Sequence, residues 1–275
     1  MLQKRHRIVP LHPDLEIIEA LPQRVVAFRR DLNDGETIPP HHHRRAQLVY
    51  ASEGVMTVTT DHGAFVVPPQ RAVWLPAGVE HRIDARGSVA MRTVYVEAAD
   101  AADAAGDSET QGLPTQVRVL HVTRLLRELI LAAVDLPRTY RPDSPEERLM
   151  SVILDQIRVL PIAPLALPMP DDVRVRRVTQ ALLADPSDGS SLKDWAAEVG
   201  ASARTLARLF IRETGMSFGA WRQQLRLLRG LELLAAGQPV TTVALDLGYD
   251  SPSAFIAMFR RNLGTTPTRY FEQAA

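Results

Sequence analysis

Four prolines fall within ten residues, at Pro161, Pro164, Pro168 and Pro170. A proline has no backbone N–H and a locked φ, so neither a helix nor a central strand continues through such a stretch. Residues 161–171 (PIAPLALPMPD) therefore read as a semi-rigid linker, and the fold must be assembled from what lies on either side. The two sides carry different patterns. Upstream, short apolar runs alternate with turn signals; downstream, nearly every stretch has helical periodicity. At 275 residues the chain is long enough for about two domains.

Upstream, QRVVAF, AQLVYA, GVMTVTT, AFVV, AVWL and VAMRTVYVEA lie between residues 22 and 97 and read as strands. Asp61-His62-Gly63 reads as a hairpin turn, and Val89, Met91, Thr93 and Tyr95 share one strand face. Closely spaced short strands predict a sandwich or small barrel. The Ala/Asp/Gly-rich stretch 98–114 reads as a loop. Residues 117–134 and 146–160 carry helical stripes, the second opened by Ser144-Pro145-Glu146-Glu147. These helices are expected to cover the barrel, to form a dimer face, or both. The predicted division is a barrel with an N-terminal arm over 1–114, a helical cover or dimerisation segment over 115–160, the linker over 161–171, and an all-helical domain over 172–275.

The composition excludes several classes. Thirty-two Lys+Arg balance 32 Asp+Glu and 45% of residues are apolar, which is not a disordered tail or a collagen. With no cysteine there is no disulfide, thiolate metal site or thiol nucleophile. No apolar run reaches the roughly 18 residues of a membrane span, and MLQKRHRIVPLHPD lacks the apolar core of a secretory signal. The expectation is a cytoplasmic protein without a membrane partner. Charge is distributed unevenly. Residues 172–275 hold thirteen basic and ten acidic side chains, and every cation but Lys4 and Lys193 is arginine, whose planar fork suits phosphate and guanine. All eight histidines lie at or before His121.

The helical half repeats one layout. LKDWAAEVGASARTLARLFIRETG contains a short helix closed by Gly200, then a longer helix opened by Ser202 and ended by Gly215. VTTVALDLGYDSPSAFIAMFRRNLG repeats this plan about fifty residues later, with Gly248, Ser251 and Gly264. Each pair reads as a helix-turn-helix whose second helix enters a major groove. Two such units joined by a long helix over 217–236 resemble the DNA-binding domain of AraC/XylS-type transcription regulators. Gly248, Phe255, Phe259, Arg260, Gly264 and Pro267 are the most specific part of the match.

On the first reader helix, Arg204 and Arg208 are four apart and share a face, with Ala203, Thr205 and Ala207 beside them as further candidates for base contact. Arg212, one turn on, reads as a phosphate contact. By the resemblance, Pro252, Ser253, Ile256 and Ala257 of the second reader helix face DNA. Ile256 and Ala257 make no hydrogen bonds to bases, so this unit is expected to contribute apolar and shape readout, with Arg260 and Arg261 on phosphates. Trp195, Phe218, Trp221, Leu225, Leu228 and Leu231 read as core.

In the first half, Gly35-x5-His41-x-His43-x3-Gln47-x6-Gly54 is similar to the first signature of the cupin barrel, with Gln47 in place of the usual Glu. Pro76-x-Gly78-x2-His81 is similar to the second, with Gln70 where Gly is usual and Ala85 where Asn is usual. The resemblance implies a double-stranded β-helix and makes His41, His43, Gln47 and His81 a candidate site for one divalent transition metal or an organic effector; packing residues are the third possibility. Residues i and i+2 of one strand point the same way, so His41 and His43 converge if both are in a strand; His42 points away. Tyr50, Met56, Trp74 and Tyr95 are candidate pocket lining or barrel core, and Arg44, Arg45 and Arg82 read as a solvated rim. The function these features imply is a ligand-responsive, sequence-specific DNA-binding regulator, a homodimer, with operator DNA and, for an activator, RNA polymerase as partners. Two rivals are a constitutive DNA-binding protein whose barrel only dimerises and a metal-dependent cupin enzyme tethered to DNA. The absent carboxylate and the lack of an acid/base partner in either signature weigh against the enzyme.

Overall fold

The computed structural model describes residues 7–8, 14–61, 63–97, 112–161 and 165–272. The described residues divide into two compact units, one within Met1–Asp61 and Val67–Pro164, the other within His62–Val66 and Leu165–Gln273. The strands are β1 (Arg7–Ile8), β2 (Val25–Leu32), β3 (Glu36–His41), β4 (Ala46–Thr60), β5 (Gly63–Val67), β6 (Arg71–Leu75), β7 (His81–Val96), β8 (Arg118–His121) and β9 (Ala166–Pro168). The helices are α1 (Asp14–Ala20), α2 (Arg124–Ala133), α3 (Pro145–Arg158), α4 (Val173–Ala184), α5 (Leu192–Glu198), α6 (Ala203–Thr214), α7 (Phe218–Ala235), α8 (Val240–Asp246), α9 (Pro252–Leu263) and α10 (Pro267–Glu272). The β-rich half followed by a helical half is the α+β organisation that the two patterns predict.

In the first unit, β7 is the central strand. It pairs antiparallel with β2 from Val25↔Val96 to Leu32↔Val89, with β3, and with β4 over most of its length. β4 also pairs with β6, which pairs with β8. Two register shifts in β4, around Glu53, let so long a strand bend. Gly54 lies there at φ +76°, and a Cβ would run into Ser88 O and Val89, which accounts for the last glycine of the first signature. Gln70 adopts φ +72°, a conformation that explains why glycine is usual at that position.

Strand alternation sorts the side chains onto two faces. Leu48, Tyr50, Trp74 and Val94 are buried with Leu126 and Ile130 of α2 and with Ile153 and Ile157 of α3. Both helices are capped, Thr123 Oγ1 accepting from Leu126 N and Ser144 Oγ from Glu147 N. The expected helix over 117–134 is shorter than its apolar stripe. Arg118–His121 instead form β8 on β6, burying Val119 and Leu120 against the sheet. The spacing of Val119 and Val122 fits either period, and the free edge of β6 decides it. The sequence patterns do not predict α1, which buries Ile18 with Val26, Phe28 and Tyr95. The 98–111 part of the expected loop and His62 of the expected turn lie outside the described residues.

The second unit is helical apart from the short β5–β9 ladder, Gly63↔Pro168 to Phe65↔Ala166. Part of the proline-rich segment is thus a strand, with Leu165 and Leu167 buried. Trp221 Nε1 donates to Pro168 O at 2.9 Å and Gln224 Nε2 to Ala166 O at 3.4 Å, so this strand is fastened to α7. Trp195, Phe218, Trp221, Leu225, Leu228 and Leu231 are buried.

Candidate functional site

The three histidines meet at one point of the barrel. His41 ends β3 and stands directly opposite His81, the first residue of β7. His43 lies beyond the end of β3, so strand alternation does not bring it to His41. Two loop bonds place it instead: Gly78 N donates to His43 O at 2.9 Å, and its ring Nδ1 lies 2.5 Å from Arg45 O. The first of these ties the second signature to the first. Ring centroids are 4.2 Å apart for His41–His81, 5.2 Å for His43–His81 and 6.1 Å for His41–His43. One nitrogen from each ring lies within 4.8 Å of the others. His42 is exposed.

The second ring nitrogens are all engaged with backbone oxygen. His41 Nδ1 lies 2.8 Å from Pro39 O, and His81 Nδ1 lies 2.9 Å from Val79 O. Carbonyls only accept, so each Nδ1 carries the proton and each Nε2 is left with a lone pair. His81 Nε2 is buried without a partner. Burial, with His41 alongside, pushes the His81 ring down to about 3, and burial also lowers His41. These two rings are therefore neutral near pH 7, the form that ligates metals.

Gln47, at the Glu position of the signature, is 1% exposed. Its Nε2 donates to Thr93 Oγ1 at 2.8 Å, and Thr93 Oγ1 donates to Leu48 O at 3.0 Å. Its Oε1 therefore faces His43 Nε2, at 2.9 Å. Both His43 nitrogens thus face oxygen acceptors, and with the proton on Nδ1 a cation at Nε2 would satisfy the second contact. Next to this cluster is a cavity of about 20 Å³ lined by Leu15, Phe28, Arg30, Ile38, His41, Gln47, Ile83, Met91 and Tyr95. That volume holds about one water-sized occupant.

The pocket residues expected from sequence divide. Tyr95 lines the cavity, packs its ring 5.2 Å from His43, and has its hydroxyl pKa raised by burial. Met56 is buried on the face of Ile83, since Val58↔Ile83 and Met56↔Ala85 are paired. Tyr50 and Trp74 do not line it. Alternation turns them to the opposite face beneath α2 and α3, where Trp74 Nε1 donates to Pro114 O at 2.7 Å. The expected arginine rim also needs correction. Arg44 is exposed and pairs with Glu19 at 2.9 Å, and Arg82 pairs with Asp84 at 2.8 Å. Arg45 is 4% exposed, and its guanidinium donates to Leu21 O, Gln23 O and Arg24 O. It secures the loop that presents His43. Sequence reasoning also missed Arg30, whose register opposite the inward-facing Met91 is the signal that places it at the cavity.

In the second unit, α5–α6 and α8–α9 form the two helix-turn-helix pairs. Ser202 caps α6 by accepting from Thr205 N, and Ser251 caps α9 by accepting from Ala254 N. Gly215 and Gly264 end these helices at φ +71° and +79°. Leu206, Leu209 and Phe210 face inward on α6, and Phe255, Met258 and Phe259 on α9. Arg204 and Arg208 are exposed, with Ala203, Thr205 and Ala207 half-buried between them. Thr205 Oγ1 is bonded to Ser202 Oγ. On α9, Ser253, Ala257, Arg260 and Arg261 are exposed, and Pro252 and Ile256 half-buried. Ser253, Ile256, Ala257, Arg260 and Arg261 border one open groove with Thr266. Among the described residues Arg204, Arg208, Arg260 and Arg261 make no ion pair. Arg212 differs: its Nε and Nη2 donate to Glu213 Oε1 at 3.0 and 2.8 Å.

A β-rich chamber and a pair of helix-turn-helix units define a DNA-binding transcription regulator with a ligand-binding domain. A family profile described as an AraC-like ligand binding domain matches residues 25–155, and one described as a helix-turn-helix domain matches 195–273. The HTH-type transcriptional regulator NimR of Escherichia coli (strain K12) is 37% identical over 237 residues, 86% of this chain and 83% of that protein. The HTH-type transcriptional regulator RipA of Corynebacterium glutamicum is 38% identical over 103 residues, 38% of this chain and 31% of that one. Among solved structures, the DNA-binding domain of AdpA in complex with a target DNA is 30% identical, covering 36% of this chain and 91% of that chain, with a TM-score of 0.35. The chain belongs to the AraC family of transcription regulators. No helix among the described residues is long and apolar enough to cross a membrane.

Proposed function

We propose that this regulator holds a divalent transition-metal ion on the Nε2 atoms of His41, His43 and His81, and that occupancy of this site sets its affinity for operator DNA. The observation that carries the reading is the shared tautomer: three Nδ1–H groups fixed on backbone carbonyls, one nitrogen of each ring within 4.8 Å of the others, and His81 Nε2 buried without a partner. Three imidazoles suit zinc, nickel, copper or iron. Gln47 adds a neutral oxygen next to His43 Nε2, so the site supplies no carboxylate charge. A cavity of about 20 Å³ accommodates an ion or a water, not the several hundred cubic ångströms of an organic effector. An ion supplies Lewis acidity, but we assign a sensing and not an enzymatic role, because NimR, a relative that spans most of the chain, is a regulator and the donor set lacks the carboxylate. The ion acts on DNA binding only through unequal affinity for two arrangements of the protein.

Arg204 and Arg208, with Ala203, Thr205 and Ala207, read bases from the first unit. Pro252, Ser253, Ile256 and Ala257 contribute apolar and shape readout from the second, and Arg260 and Arg261 hold phosphates. Arg212 is a weaker phosphate candidate because Glu213 neutralises it. The exposed Leu125, Val152 and Val159 on and next to α2 and α3 favour a homodimer, which a molecular mass at micromolar concentration with and without DNA tests. RNA polymerase is a partner if the protein activates, and the working compartment is the cytoplasm. The deciding experiment is elemental analysis of the untagged protein beside a His41→Ala/His81→Ala variant, paired with DNA affinity before and after chelation. About one equivalent of metal in the parent, none in the variant, and a chelator-sensitive affinity are expected. No metal after incubation with zinc, nickel and iron would overturn the proposal.

A further inference from the structure

The long helix α7 joins the two helix-turn-helix units, but a single helix is a poor clamp on its own. The lead-in to the first unit, residues 185–191, passes against the turn of the second. Arg226, on α7, holds the two together. Its Nε donates to Pro186 O at 2.8 Å, and its Nη2 donates to Ser187 O at 3.2 Å and to Asp188 O at 3.0 Å. Its guanidinium carbon also sits 5.6 Å from the centroid of Tyr249, in the turn between α8 and α9. Tyr249 in turn packs against Phe255 of the second reader helix at 5.6 Å.

Gly248 closes the same joint from the other side. It lies at φ +72°, and a Cβ there would collide with Ser187 O, the carbonyl that Arg226 holds. One turn earlier on α7, Arg222 donates to Ser190 O at 2.8 Å and stacks over Phe218 at 4.9 Å. The loop is rigid in itself. Asp185 accepts from Ser187 N and Oγ, Asp188 accepts from Ser190 N, and Ser191 and Asp194 form a capping box. A stiff loop, a forked donor and a glycine without room for a side chain leave little freedom between the first unit's entry and the second unit's turn.

We infer that Arg226 is a positioning residue for DNA recognition: by fixing the 186–188 carbonyls to the Tyr249 turn, it sets the distance and angle between α6 and α9, and so the one spacing of base-pair blocks that both helices read at once. Its guanidinium is occupied by three carbonyls and a ring, so it acts through the reader helices and not on DNA. The physical basis is that two linked contacts reinforce each other only when the link matches their separation. A looser joint accepts several separations and gains less at each. The inference is independent of what the histidine cluster holds.

The test uses the full chain and a random-sequence duplex library with two variable blocks, sequenced after selection. The parent is expected to enrich two blocks at a single spacing of about one helical turn. Arg226→Gln is expected to enrich the same two sequences with the spacing spread over at least one base pair either side, and to bind the parent's best duplex roughly tenfold more weakly. Binding to a duplex with the second block scrambled should be unchanged. Tyr249→Leu keeps the three carbonyl bonds of Arg226 and removes the ring contacts to Arg226 and Phe255; it should give a smaller spread of the same kind, which covers the case in which Arg226→Gln does not fold. An unchanged single spacing in a folded variant would overturn the inference. So would an equal loss on the full and scrambled duplexes, which would put Arg226 in contact with DNA.

Discussion

Replacing Gln47 with Glu restores the carboxylate usual in the signature and exposes how the site balances charge. In the parent, Gln47 Nε2 donates to Thr93 Oγ1 and Thr93 donates onward to Leu48 O. A carboxylate has no hydrogen to give, so the Thr93 hydroxyl turns towards it and releases Leu48 O. Losing a donor at a buried acceptor costs about 1–3 kcal/mol. The new charge sits at a position 1% exposed and costs about 3–5 kcal/mol where nothing compensates it. The hydrogen bond from Thr93 offsets part of this, leaving a net of roughly 2–4 kcal/mol for the metal-free protein. At about 2–4 °C per kcal/mol for a unit of this size, melting of the metal-free barrel falls by roughly 5–15 °C. A bound dication reverses the sign, because the same carboxylate now compensates its charge. Each tenfold gain in metal affinity adds about 1.4 kcal/mol at saturating metal. The assay is differential scanning calorimetry of parent and Gln47→Glu, each with chelator and with excess zinc. The expected pattern is a lower chelator midpoint and a larger zinc shift in the variant. A chelator midpoint equal to the parent's would refute the burial argument. A zinc shift no larger than the parent's would refute the placement of Gln47 beside the ion.

Other outcomes follow from residues placed above. Arg204→Ala and Arg208→Ala should each relax selectivity at one base pair by about 1–3 kcal/mol, read by competition among single-base operator variants; uniform loss on all sequences would make them phosphate contacts. Arg260→Ala should weaken every duplex alike and reduce the slope of log affinity against log salt by about one, and an unchanged slope would remove it from the phosphates. Gly54→Ala should destabilise the barrel by at least about 1–2 kcal/mol, because φ is +76° and the added methyl meets Ser88 O; an unchanged denaturant midpoint would contradict the bulge geometry. Trp221→Phe should cost about 1–3 kcal/mol by leaving Pro168 O without its donor, measured by chemical unfolding of the full chain; no loss would mean water replaces the bond.

The helical half is the more legible in sequence because its signals are local. Ser202, Gly215, Ser251 and Gly264 mark ends by chemistry acting within one turn, and α6 and α9 start or stop where these residues stand. The barrel depends on pairings between distant segments, and there single-segment patterns mislead. Val119 and Val122 match a helical stripe as well as a strand, and the open edge of β6 selects the strand. Tyr50 and Trp74 are aromatic and near the histidines in sequence, but strand parity, which a one-residue shift would invert, turns them away from the cavity.

The histidine cluster shows the same division at the scale of a site. The residue types were readable, but what brings His43 into place was not. It stands outside β3, and its ring is aimed by Arg45 O, on a loop held by the buried Arg45 guanidinium. A charged residue two positions from a histidine reads as rim until carbonyls from residues 21–24 are seen around it, and nothing local announces that they will be there. The tautomers of His41 and His81 are fixed by near neighbours instead: Pro39 O, within β3, and Val79 O, just before β7, each lie two residues before the ring they orient. Neighbouring carbonyls thus preset the rings of His41 and His81, which face each other across the β3–β7 pairing, while His43 is placed by the Arg45 loop and Gln47 by the β4–β7 pairing, Gln47↔Tyr95. A slip in that pairing would leave every signature residue in the sequence and no site in the protein.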